Sequence, residues 1–167
     1  MLLNILGFQI GWFACVLGSA NQQPWLGVLI SCLVIFVHIS RSNHPAFESK
    51  FLVAAVIIGI IFDGIPQSLG WITFDPVAFW PDILPPPWMM MLWALFASTM
   101  NISLSWLKHK TLLAMLIGVV AGPLAYWSGA RLGALQLSNI SAAIIYLSIG
   151  WGCIVPVLLK IAASKDH

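Results

Sequence analysis

GVVAGPLAYWSGARLGA, residues 118–134, is the stretch that decides the fold. It opens as an apolar helix with small residues at Gly118, Gly122, Gly129 and Gly133, and it ends on Arg131. Of the 7 Lys and Arg residues, Arg131 is the one that the charge pattern sets apart. If residues 111–130 cross a bilayer, Arg41, Lys50, Lys108, Lys110, Lys160 and Lys165 all fall on the opposite side from it. Basic residues in short loops mark the cytoplasmic face, so the pattern orients the whole chain.

The surrounding sequence agrees. Of 167 residues, 60% are hydrophobic and 7% are charged, against roughly 25% charged in a soluble domain. Too little polar surface remains to coat a globule in water. Apolar runs approach the roughly 20 residues that a helix needs to cross a membrane. The expected fold is therefore all-α, a polytopic membrane protein of about six transmembrane helices in one bundle. Residues 1–167 form one domain, with spans near residues 2–20, 25–40, 51–72, 88–107, 111–130 and 140–163. An even number of spans places both termini in the cytoplasm. The net charge of +2 is too small and dispersed for nucleic acid.

Span 1 carries no Lys or Arg ahead of its apolar run, and Asn4 and Gln9 interrupt it, so a retained span is expected rather than a cleaved leader. Gly7, Gly11 and Gly18 form a small-residue stripe along one face, and Gly118 and Gly122 do the same in span 5; both stripes suit close helix packing. Pro45 reads as a break in a solvated segment, residues 41–50. Residues 73–87, TFDPVAFWPDILPPP, read as an interfacial loop. Cys15, Cys32 and Cys153 lie far apart in apolar segments and suggest neither a disulfide framework nor a metal site. His38, His44, His109 and His167 lack ligand spacing. No cofactor, catalytic triad or phosphate loop can be read.

The rare polar residues inside the spans carry the functional expectation. A central Asp costs about 2.5–3.5 kcal/mol to insert, so Asp63 is a candidate by default. At about 1.5 Å of rise per residue, Asp63 lies roughly 18 Å from the cytoplasmic end of its span, Gln67 roughly 24 Å, Tyr126 roughly 22 Å and Arg131 roughly 30 Å. In a core about 30 Å thick these form one outer-half layer. Asp63 and Gln67 share a helix face. Pro66 frees the carbonyl of Phe62, which must then find another partner. A hydrated cavity lined by Asp63, Gln67, Tyr126 and Arg131 is expected, with Trp80 and Trp88 shaping its mouth. Gln9, Ser98, Asn101 and Ser105 form a second, inner polar layer.

Two further patterns bear on function. Ile10-Gly11-Trp12 returns as Ile149-Gly150-Trp151, and spans 3 and 6 both carry late Gly and Pro residues, as the broken helices of inverted-repeat transporters do. The segments FQIGWFACVLG (8–18), PPPWMMMLWALFASTMN (85–101) and GPLAYWSGARLGA (122–134) resemble a family of small bacterial inner-membrane proteins catalogued only as a domain of unknown function. That resemblance implies an inner-membrane location and assigns no activity. The leading expectation is recognition or handling of a small amphiphile or lipid, with Asp63 and Gln67 binding its polar group and Arg131 an anionic head. A small proton-coupled secondary transporter is the alternative. A third reading is an accessory or assembly subunit whose glycine stripes dock a membrane-protein partner.

Overall fold

The computed structural model describes residues 1–164; Lys165 and His167, used above for charge and ligand spacing, lie outside the described residues. Six α-helices follow one another: α1 (Leu2–Ala20), α2 (Pro24–Ser40), α3 (Pro45–Ser68), α4 (Pro87–Met100), α5 (Thr111–Arg131) and α6 (Ile140–Ala163). The all-α expectation holds. A two-residue antiparallel pair, β1 (Ile72–Thr73) with β2 (Gln136–Leu137), pins the loop after α3 to the loop after α5. We call this the strand end of the bundle.

Proline sets where helices start. Pro24, Pro45 and Pro87 occupy first turns, where the missing N–H costs nothing and the fixed φ favours the helix. Pro45 thus opens α3 rather than breaking a solvated loop. This corrects the reading of residues 41–50, because Glu48 falls inside the helix and is buried. The strand end is fixed by left-handed residues. Gly70 (φ 68°) and Gly133 (φ 87°) close α3 and α5 with the same pair of capping bonds, Trp71 N–H to Pro66 O and Ala134 N–H to Gly129 O completing each motif.

α4 is the hub, packed against α1, α2 and α3 and touching α6, while α1–α2 and α5–α6 form tight hairpins on either side. It stops at Met100, not at residue 107 as expected. Beyond it the chain turns and makes a single 3-10 turn, Ser105–Leu107. Polar side chains compete with the helical ladder here: Asn101 donates to Glu48, and Ser103 donates to Asn4. Ser105 therefore leaves the face expected to hold Ser98 and Asn101. Nor do α3 and α6 break: both run continuously through Pro66 and Pro156, so no unwound segment of the transporter kind forms.

Four helices, α1, α3, α5 and α6, are long and apolar enough to cross a membrane; α2 is shorter, at 17 residues. Only 28% to 33% of the long apolar windows is buried inside the chain. Most of their apolar surface faces outward, as hydrocarbon surroundings permit and water does not. The glycine stripes are used within the chain. A side chain at Gly7 would meet Val34, at Gly11 Leu95, at Gly18 the backbone of Gln23, and at Gly118 and Gly122 Trp151.

Candidate functional site

The polar centre of the bundle is Asp63. α3 presents it inward, 1% exposed, between α4 and α5. Trp93 of α4 donates its indole N–H to Oδ2 at 2.7 Å, and the Tyr126 hydroxyl of α5 donates to Oδ1. Both oxygens are thus engaged by donors from different helices. An aromatic group surrounds them. Trp93 stacks on Trp151 of α6 at 4.8 Å and 10°, and Phe62 stacks on Tyr146 at 4.8 Å and 20°. Close approach depends on glycine: any side chain at Gly59 would enter the Trp93 ring, and at Gly150 the Phe62 ring. The carbonyl freed by Pro66 is satisfied inside the protein, because the Tyr146 hydroxyl donates to Phe62 O at 2.8 Å.

Beside this centre runs an open groove of about 420 Å³, within the range of small-molecule sites. α1 and α5 form its walls, and α4 and α6 its floor. From α1 it takes Ile5, Phe8, Gln9, Trp12 and Val16. From α5 it takes residues between Ile117 and Gly129. Twelve residues of helix span roughly 18 Å, so the groove follows the bundle axis for more than half the thickness of a bilayer core. Its lining is almost wholly apolar. Few of the lining residues carry a polar group: an amide on Gln9, hydroxyls on Thr99, Ser103 and Tyr126, and indole nitrogens on the tryptophans. Two of those nitrogens, Trp88 Nε1 and Trp151 Nε1, are buried without a hydrogen-bond partner.

The expected cavity residues therefore separate. Tyr126 and Trp88 line the groove. Asp63 stands behind Tyr126, sealed from the groove rather than wetted by it. Gln67 faces away and holds the α3–α4 loop, donating to Asp82 O at 2.8 Å and Leu84 O at 3.3 Å. Trp80 serves the same loop, donating to Pro85 O at 3.1 Å with its ring edge against Trp25. Arg131 is exposed at the last turn of α5, two residues past the lining residue Gly129. Of the second layer, Gln9 lines the groove and Asn101 pairs with Glu48, whereas Ser98 and Ser105 bond back to their own chain turns at Leu95 O and Ile102 O.

Sequence reasoning missed a second polar cluster. At the end opposite the strands, Glu48 accepts from Asn101 Nδ2 at 2.9 Å and lies 3.3 Å from His38 Nε2, tying α2, α3 and α4 together. The available signal was Pro45 as a helix opener, which would have drawn Glu48 into the first turn of α3. Among the described residues no group of three or more His, Cys, Asp or Glu side chains is placed to hold a metal ion.

Four helices fit to cross a bilayer, gathered around a buried aromatic centre and an apolar side groove, define a helical membrane protein. The chain belongs to the family described as "Protein of unknown function (DUF2878)", whose model matches residues 1–157. No curated protein and no solved structure matches it.

Proposed function

We propose that the chain is a bacterial inner-membrane protein of six spans, with both termini cytoplasmic, that holds a lipid-like amphiphile in the groove between α1 and α5. One observation carries this reading: an apolar trough runs along the bundle axis for more than half the thickness of a bilayer core. An acyl chain fits the trough by polarity and length, and Arg131, exposed in the last turn of α5, is the cation offered to an anionic head at that end of the bundle. This shifts the expected site. The groove takes the chain of the amphiphile, while Asp63 and Gln67 act as structural ties. α2 and α4 complete the six spans. α4 is short at 14 residues, roughly 21 Å, but its buried position within the other helices hides the shortfall.

The test is mass spectrometry of ligands retained by the protein in mild detergent. Wild type should carry a stoichiometric amphiphile. Arg131→Ala should retain less of any anionic species. Ala125→Trp, which places a ring in the groove from an exposed position, should carry none. A folded Ala125→Trp protein that keeps its ligand at the wild-type level would rule the groove out. Proton-coupled transport has less support, because both oxygens of Asp63 are already engaged. The accessory reading loses its docking stripes, which are filled by the chain's own helices.

A further inference from the structure

Most donors on the groove-lining residues are spent or sealed inside the chain. The hydroxyls of Thr99, Ser103 and Tyr126 donate to Phe96 O, Asn4 Oδ1 and Asp63 Oδ1, and the Trp93 indole donates to Asp63 Oδ2. Trp88 Nε1 and Trp151 Nε1 are shut away from any occupant. Two donors are left, the Gln9 amide and the Trp12 indole. Among the described residues neither makes a hydrogen bond, and neither holds a buried unpartnered atom, so both remain accessible. Gln9 is exposed and Trp12 half-buried. Both belong to the stripe that α1 turns to the groove, Ile5, Phe8, Gln9, Trp12 and Val16, positions that share one helix face. Gln9 and Trp12 stand at its middle.

Counted from the start of α1 at Leu2, Gln9 lies roughly 10 Å and Trp12 roughly 15 Å along the helix, in a hydrocarbon core about 30 Å thick. An unsatisfied polar group is costly at that depth, and tryptophan ordinarily keeps to the headgroup level. Resting on the groove reading above, we infer that the occupant carries an acceptor oxygen part-way along its hydrocarbon chain, held by the Gln9 amide and the Trp12 indole N–H. An indole N–H only donates, and a carbonyl oxygen has two lone pairs, so one ketone oxygen serves both groups. The spacing allows it. Three residues of helix rise roughly 4.5 Å, and two donors sharing one acceptor at about 2.9 Å each stand within about 6 Å of one another. A plain acyl chain fills the trough but leaves both donors stranded.

The probes are three octadecanoic acids: the plain acid, one with a ketone at its tenth carbon and one with a ketone at its fourth. Each is titrated into the delipidated full-length protein in mild detergent and read by native mass spectrometry. A neutral hydrogen bond predicts about a three- to tenfold preference of wild type for the tenth-carbon ketone over the plain acid. The fourth-carbon ketone, close to the head, should bind as the plain acid does. Gln9→Leu and Trp12→Phe should each reduce the preference and together erase it, with the plain acid held as before. Equal binding of all three probes by wild type overturns the inference and leaves the groove standing. So does an equal preference for the fourth-carbon ketone, or a preference unchanged in the double variant. A wild-type dimer that Gln9→Leu dissociates would assign the amide to a second copy and overturn it as well. Gln9→Leu trades an exposed amide for an apolar side chain, so should Trp12→Phe fail to fold, Gln9→Leu decides: a reduced preference supports the inference and a full one overturns it. If no probe binds wild type better than it binds Ala125→Trp, the groove reading itself falls.

Discussion

Asp63 is a tie between three helices, and its chemistry follows from its partners. Removing the carboxylate strands two buried donors, Trp93 Nε1 and the Tyr126 hydroxyl. In water-soluble proteins each stranded donor costs about 1–3 kcal/mol, but polar pairs within membranes average nearer 0.6. Asp63→Ala should therefore lower unfolding stability by about 1–3 kcal/mol, and Tyr126→Phe by less than Asp63→Ala, in a steric-trapping or detergent-unfolding assay. A variant whose folded fraction stays at the wild-type level would show that the knot is not what holds α3 to α4. Gln22 offers a contrasting case. It closes α1 at φ 60°, a conformation that favours glycine. Gln22→Gly should raise stability by about 0.5–1 kcal/mol in the same assay, despite losing an exposed bond to Asp75.

At the scale of the helices, packing is set by where small residues let neighbours in. A methyl group added at Gly118 would collide with the backbone carbonyl of Trp151, which cannot swing away as a side chain could. Gly118→Ala should cost about 1–3 kcal/mol by prising α5 from α6. Gly64→Ala, with open space around it, should be neutral or slightly stabilising. Thermal unfolding of the two variants side by side checks the contrast. The helices themselves were largely legible in the sequence, because long apolar runs and prolines at first turns leave few alternatives. The end of α4 was not. The 88–107 run stays apolar enough to suggest a continuous span, and only tertiary bonds from Asn4 and Glu48 reveal why it stops at Met100. The site was half legible. Asp63 and Tyr126 were expected to be neighbours and are, but the direction each side chain faces is set by Trp93, whose indole nitrogen carries no pattern in one dimension. An apolar groove between two non-adjacent helices leaves no sequence signature at all.

For the molecule as a whole, the charge pattern and the up-and-down arrangement of helices make one joint prediction. On the proposed six-span topology the α3–α4 loop and the α2–α3 turn lie on opposite faces of the membrane. Single cysteines at Asp82 and Arg41, in a background lacking Cys15, Cys32 and Cys153, test it directly. An impermeant maleimide should label Asp82→Cys in intact cells, and Arg41→Cys only after the membrane is breached. Equal labelling of both in intact cells would reject the six-span topology.

The hairpins α1–α2 and α5–α6 share no broad interface with each other; they converge at the strand end, where the Ser19 hydroxyl donates to Ala134 O at 3.4 Å. The trough between them therefore faces sideways. An occupant arriving by that route exchanges with neighbouring lipids in the plane of the bilayer, so its occupancy follows its mole fraction in the leaflet rather than its dissolved concentration. Dilution of the aqueous phase should leave such a complex intact, and dilution of the surrounding lipid should empty it.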